Sequence, residues 1–261
     1  MEPTLSEIIQ WAKEAGQILR AGYGQIHQVT NKSSIDLVTE IDQQSEDFLT
    51  ARILQKYPHH TIIGEENGTQ NGHTTDLVWY IDPLDGTSNY VHGLPIFSVS
   101  IAFSRQGQTE LGVVYDPILD ECFSAERGHG AFLNEQPIHT TQVQELLQAM
   151  LVTGFPYDVH QTHTNIAEFT NFVLRAQAVR RLGSAALDVC YIANGRLDGF
   201  WEYKLRPWDV AAGILILEEA GGKASQLDGS PLELTQYINM VAANPELHKR
   251  MLEVLEISAH S

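Results

Sequence analysis

Thiols and basic side chains are scarce in this sequence, and long apolar runs are missing from it. The two cysteines, Cys122 and Cys190, lie far apart in apolar stretches. They read as reduced core thiols, not as a disulfide framework or a metal cluster. Only 16 lysines and arginines face 33 aspartates and glutamates, a formal net charge of −17. Such a balance excludes a general nucleic-acid binder and argues against docking on an anionic membrane. It would also repel a phosphorylated substrate unless metal ions reversed the local field. No apolar run approaches a membrane span, and no basic segment followed by an apolar one suggests a signal peptide, so a cytoplasmic location is expected. The sequence contains no G-x-S-x-G elbow and no P-loop, and Gly22-Tyr23-Gly24 lacks the third glycine of a dinucleotide fingerprint. His59, His60, His160 and His163 have no nearby cysteine or H-E-x-x-H partner and read as solvated loop residues.

What is present is an ordinary globular composition, 43% hydrophobic and 19% charged over 261 residues, enough for a large core. No Pro/Gly/Ser-rich linker, fixed-period repeat or low-complexity segment divides it. The periodicity predicts helices over 4–21 and 39–57, the first opened by a capping box of Thr4 and Glu7. Strands are predicted at 61–63, 77–81, 97–103, 111–115, 121–125 and 131–133, with Gly128 and Gly130 turning the last hairpin. The second half alternates: strand 149–153, helix 165–176, strand 179–182, helix 184–192, strand 197–201, helix 210–220 and a final helix opened by Asn244-Pro245. This mixture predicts a layered α/β or α+β protein.

Acidic residues stand at the ends of these elements. Asp82 and Asp85 flank Pro83-Leu84 where the apolar strand 77–81 runs out. A tight turn there points two carboxylates and the Leu84 carbonyl at one spot, and oxygen-only donors suit a hard cation such as Mg²⁺. A solvated Asx-turn is the other reading. Glu65-Glu66 follows strand 61–63 and reads as surface charge unless that strand end lies near Asp82. Asp36 and Asp42 flank Leu37-Val38-Thr39, where Asp42 is also the acid of a helix start. Asp209 precedes an apolar helix and reads either as its cap or as a ligand carried close by the small residues Ala211-Ala212-Gly213. Asp85-Gly86-Thr87 and Gly183-Ser184-Ala185 are two candidate helix starts with N–H groups for a phosphate.

Four of these elements, Asp36-Leu37-Val38-Thr39 with Asp42, Gly64-Glu65-Glu66, Asp82-Pro83-Leu84-Asp85-Gly86-Thr87 and Trp208-Asp209-Val210-Ala211-Ala212-Gly213, together resemble the inositol monophosphatase family. Their order and spacing match across nearly the whole chain. The resemblance implies an αβαβα sandwich of the sugar-phosphatase type, one domain over 1–261 with an α+β part at about 1–145 and an α/β part at about 146–261. It implies a homodimer and Mg²⁺-dependent, lithium-sensitive hydrolysis of a phosphate monoester, with two to three ions per site. By position, Glu65, Asp82 and the Leu84 carbonyl would hold one ion and Asp82, Asp85 and Asp209 a second. Glu65, through waters, would help hold a weaker third. Asp42 would orient Thr87, and Thr87 with Glu65 would position and activate the attacking water. Lys32 would sit on a loop near the ions. Asp85, Gly86, Thr87, Asp209, Gly183, Ser184, Ala185 and Glu202 would contact substrate. Ser88-Asn89-Tyr90 resembles the inositol-phosphate branch, while Arg206-Pro207 resembles bacterial members. The substrate expected is a myo-inositol monophosphate. Fructose 1,6-bisphosphate, histidinol phosphate and a nucleotide 3′-phosphate are the other substrates considered. A dimeric interaction protein with a vestigial site is the alternative from another class.

Overall fold

A computed structural model describes residues 2–25, 29–31, 37–70, 74 and 76–259. Asp36 and Lys32 lie outside the described residues. Helix α1 (Leu5–Gly22) opens with the expected capping box, the Thr4 N–H donating to Glu7 Oε2 at 3.1 Å. A short antiparallel pair, β1 (Val29–Asn31) and β2 (Leu37–Thr39), leads into α2 (Glu40–Lys56). Next come β3 (Thr61–Gly64), β4 (Gly68–Gln70), β5 (Leu77–Asp85) and the short α3 (Thr87–Val91). The meander β6 (Ser98–Arg105), β7 (Gln108–Asp116), β8 (Glu121–Glu126), β9 (Ala131–Leu133) and β10 (Gln136–Pro137) completes an eight-stranded sheet ordered β10-β9-β8-β7-β6-β5-β3-β4.

A second sheet follows, ordered β12-β11-β13-β15-β14. Its elements are β11 (Met150–Thr153), α4 (Val159–Thr162), α5 (Ile166–Val173), β12 (Ala178–Arg180), α6 (Ala185–Ala193), β13 (Gly199–Leu205), α7 (Pro207–Glu219), β14 (Lys223–Gln226), β15 (Ile238–Ala243) and α8 (Pro245–Ala259). Strands β14 and β15 were not anticipated from the sequence. The final hairpin of the sheet has no short turn between its arms, since 227–237 separates them.

Strand alternation builds the layers. Trp79 and Ile81 of β5 face α1 and α2, in a core with Ile8, Leu19, Leu49 and Phe103. Val78 and Tyr80 point the other way, into a central core with Leu187, Val210 and Ile216 of α6 and α7. Phe200 of β13 joins that central core, while its neighbour Trp201 joins Phe172, Val241 and Met251 beneath α5 and α8. The result is the expected αβαβα sandwich, with α6 and α7 as the layer between the sheets. Cys122 and Cys190 are buried free thiols. His60 departs from expectation: it is buried, accepts a hydrogen bond at Nδ1 from Trp79 Nε1 at 3.0 Å, and stacks on Tyr57 and Phe103. Its polar neighbours in sequence hid an aromatic pocket built from distant residues. Among the described residues no helix is long and apolar enough to cross a membrane.

The central layer is tight where β7 meets α7. A Cβ on Gly112 would stand 3.0 Å from the Ala212 carbonyl oxygen. Gly112→Val is therefore expected to push α7 off the sheet and to cost about 1–3 kcal/mol, the usual range for overpacking. A lowered melting temperature on thermal denaturation checks this, and an unchanged one contradicts it.

Candidate active site

Strand direction brings the acids together. Strands β3 and β5 are parallel, with Gly64 beside Ile81, so the residues that follow them emerge side by side. The Glu65 N–H donates to the Ile81 carbonyl at 3.2 Å, which sets Glu65 next to Asp82. Behind it, the buried carboxylate of Glu46 accepts from the Glu66 and Asn67 N–H groups, both at 2.8 Å. Gly64 admits that carboxylate, because a Cβ there would lie 2.5 Å from Glu46 Oε1. The sequence offered no sign of Glu46 beyond an acid on a helix.

Near its end β5 shifts register with β6, between Asp82 and Asp85, and resumes pairing at Asp85 beside Ser98. Asp82 Oδ1 accepts the Leu84 N–H at 3.0 Å. Gly86 then adopts φ +97°, and a Cβ there would meet the Ile96 carbonyl at 2.9 Å, so only glycine fits. The reversal starts α3 at Thr87, whose hydroxyl lies 3.1 Å from both Asp42 Oδ1 and the Leu84 carbonyl. Asp42 is fully buried on α2 and reaches across to Thr87, which a helix-start acid alone would not do.

Asp85 crosses to the other half of the chain. Its Oδ2 accepts from Ser184 Oγ at 2.5 Å, the Ala186 N–H at 2.9 Å and Ser98 Oγ at 3.5 Å, and its Oδ1 accepts the Ala185 N–H at 3.2 Å. The N-terminus of α6, read from the sequence as a phosphate cradle, thus receives a carboxylate of the chain itself. Asp209 does not precede α7 as its N-cap: that position is Arg206, and Asp209 lies within the first turn, its Oδ2 accepting the Arg206 N–H at 2.7 Å. The Trp208 carbonyl is tied to β6 by Ser100 Oγ at 3.1 Å.

Glu65, Asp82, Leu84, Asp85, Gly86, Thr87, Gly183, Ser184, Ala185, Glu202 and Asp209 all line one cavity of about 820 Å³ between the two sheets. Asp42 reaches it through Thr87. Arg181, Lys204 and Arg206 also line it. Lys204 pairs with Asp158 at 2.5 Å, and Arg206 stacks 4.2 Å from the Tyr237 ring.

Burial sets the electrostatics. It holds Asp82 well above the ordinary carboxylate range, and the charges of Glu65, Asp85 and Asp209 push in the same direction. Asp209 is raised by burial against the Arg206 N–H, and Asp85 to about 6 by burial against its Ser184, Ala186 and Ala185 donors. Burial lifts Glu202 to about 8, opposed by Arg181. Among the described residues no three acids, histidines or cysteines are drawn together as an ion's ligands are. The donor set nonetheless fits a hard divalent cation: it is all oxygen, its like charges strain one another, and Oδ2 of Asp82 and Oδ1 of Asp209 accept no hydrogen bond among the described residues.

The sequence profile of the Inositol monophosphatase family matches residues 1–260, and the chain belongs to that family. The family is generally metal-dependent, and membership supports a phosphatase. The chain is 44% identical to "Nus factor SuhB" of Pasteurella multocida, over 98% of this chain and 97% of that one. It is 38% identical to "Inositol-1-monophosphatase" of Mesorhizobium japonicum, over 97% and 96%. Among solved structures, inositol monophosphatase from Anabaena superposes with a TM-score of 0.89 at 39% identity, covering 97% of this chain and 95% of that one.

The raised acids fix the sign of the pH response. Asp85 and Glu202 keep protons in the native state that the unfolded chain has already released, so each destabilises the fold as pH climbs to about 6 and about 8 respectively. His248, held down to about 4 by burial, acts oppositely, but only below its ordinary value of 6.5. Between pH 6.5 and 8 the metal-free protein should therefore lose stability, by up to about 1.4 kcal/mol per pH unit for one retained proton. Melting temperatures measured in EDTA across that window should fall, and Glu202→Gln should flatten the fall. A rising profile would contradict the assignment.

Proposed function

We propose that the protein hydrolyses phosphate monoesters with Mg²⁺, and that a myo-inositol monophosphate is its substrate. The observation that carries this reading is the convergence of Glu65, Asp82, Asp85, Asp209 and the Leu84 carbonyl on the cavity that also holds Thr87 and Glu202. Glu65, Asp82 and the Leu84 carbonyl would hold one ion; Asp82, Asp85 and Asp209 a second; Glu65, through waters, a weaker third. When bound, such ions neutralise the phosphate and make water a better nucleophile at neutral pH.

The chain's own groups supply the rest. The Thr87 hydroxyl has one hydrogen and two lone pairs, and Asp42 and the Leu84 carbonyl both lie within reach of that hydrogen. Donation to Asp42 leaves a lone pair to accept from, and so orient, the attacking water. Glu65 takes the proton that this water releases. The Gly86 and Thr87 N–H groups hold phosphate oxygens. Gly183, Ser184 and Ala185 form the wall beside the alcohol, and Glu202 accepts a hydrogen bond from one of its hydroxyls. The relative named inositol-1-monophosphatase supports this substrate. Lys32 near the ions and a homodimer in solution belong to the same reading.

Turnover should vanish in EDTA and return with Mg²⁺. Glu65→Gln preserves shape and removes the base, and should lower kcat by at least about a hundredfold. Phosphate release assayed on inositol 1-phosphate decides both points; full activity in EDTA would end the proposal.

Thr87→Ala and Asp42→Asn should each impair turnover. Because the two act as a unit, the double variant should be far less impaired than the product of the singles. Multiplicative losses would reduce Asp42 to a structural acid.

The relative named Nus factor SuhB favours a second reading, a Nus-factor role carried by the same fold. In a strain lacking the protein, rescue of growth by Glu65→Gln would support a role that needs no turnover. Rescue by the wild type alone would count against it.

A further inference from the structure

One buried acid on the cavity wall has no place in the hydrolytic machinery. Asp188 lies in the first turn of α6, its N–H donating to the Ser184 carbonyl at 2.9 Å. It is 1% exposed and lines the cavity, while its helix neighbours Leu187, Val189 and Cys190 point into the central core. Its Oδ1 has no hydrogen-bond partner among the described residues. It does not cap its helix, because the first N–H groups of α6 go to Asp85. A buried acceptor left unpaired costs about 1–3 kcal/mol, and at this site an apolar residue would pack at no such cost. The group therefore calls for a partner that arrives with a ligand.

We propose that Asp188 is a specificity-determining residue that accepts a hydrogen bond from a second hydroxyl of the polyol, beside the one taken by Glu202. The inference rests on the phosphatase reading above and adds to it a second side-chain contact on the hydroxyl-bearing alcohol. Glu202 comes from β13 and Asp188 from α6, so the two acceptors approach the alcohol from separate elements. Their surroundings choose the ligand chemistry. Burial holds the Asp188 carboxyl well above the usual carboxylate range, and the charges of Glu202 and Asp85 push in the same direction, so a further negative group such as a second phosphate or a carboxylate is disfavoured there. Arg181 already opposes the charge of Asp188 and that of Glu202, which removes the need for an ammonium group on the substrate. Neutral hydroxyl donors remain.

The experiment compares inositol 1-phosphate, p-nitrophenyl phosphate and histidinol phosphate on the wild type, Asp188→Ala and Asp188→Asn, all at saturating Mg²⁺. Asp188→Ala should lower kcat/KM for inositol 1-phosphate about tenfold, the equivalent of one hydrogen bond to a carboxylate. The aryl phosphate, which has no hydroxyls to offer, should lose far less. Asp188→Asn keeps an acceptor oxygen at the same place and should recover most of the loss. A titration with myo-inositol alone, followed by ligand-detected NMR, should show binding weakened by Asp188→Ala about as much as kcat/KM. That readout needs no turnover, so a failed phosphatase reading and a failed role for Asp188 give different results. Equal losses on inositol 1-phosphate and the aryl phosphate, an asparagine variant no better than alanine, unchanged myo-inositol binding, or a loss confined to histidinol phosphate would each overturn the proposal.

Discussion

The carboxylate of Asp85 at the start of α6 is the interaction on which the rest of the site depends. It joins the end of a strand in the first sheet to a helix that packs beneath the second, across 99 residues of sequence. Helix α6 presents N–H groups that need an acceptor, and a buried carboxylate needs donors. Each answers the other, and the pairing fixes the distance between the two walls of the cavity. Asn89 reinforces it, its Nδ2 donating to the Ile96 and Leu182 carbonyls at 2.8 Å, one in each half. Gly183 is threaded between these groups, with Arg181 Nη1 and Asn89 Nδ2 where a side chain would stand.

From this joint the division of labour within the cavity follows. Glu65, Asp82 and Thr87 come from the first sheet and its turns, and Glu202 and Asp188 from the second sheet and α6. Asp209 arrives on α7, which lies between the sheets. The acids at the end of β5 and their companion Asp209 repel one another in a buried place, a state that the fold offsets with the Ser184 hydroxyl and with backbone N–H groups of Leu84, Ala185, Ala186 and Arg206, which grip one oxygen or more of each aspartate. Strain of this kind at a cavity wall is what a cation relieves.

The layered fold and most of its elements were legible in the sequence, because period-2 and period-3.6 apolar patterns survive wherever an element has one buried face. The run from Leu77 to Ile81 is an example: its alternate residues enter two different cores. Strands β14 and β15 escaped, since a stretch rich in small and polar residues, Lys223-Ala224-Ser225-Gln226, carries little periodic signal and owes its strand to pairing with Ile238–Ala243. Motif spacing brought Glu65, Asp82, Asp85, Thr87 and Asp209 into view, and the structure gathers them on one cavity. What spacing did not reveal is which of these groups is already engaged. The sequence made Gly183-Ser184-Ala185 a place for a phosphate, whereas Asp85 occupies that helix start. Asp188 was passed over, although a lone acid inside the apolar helix Ala185–Ala193 is a readable signal. Glu46 and Asn89 left no such trace, because their roles are to bond backbone atoms brought near by folding.

The reach of Asp85 also orders events in time. On a ribosome, Glu65, Asp82 and Asp85 emerge about a hundred residues before Ser184, and Asp209 comes later still. Until α6 and α7 dock, Asp85 lacks its Ser184, Ala185 and Ala186 donors and the first three acids lack Asp209, whereas Asp82 already has the Leu84 N–H of its own turn. Closing so long a loop is entropically costly before the contacts that reward it exist. The cluster is therefore complete only once both halves of the chain have folded against each other.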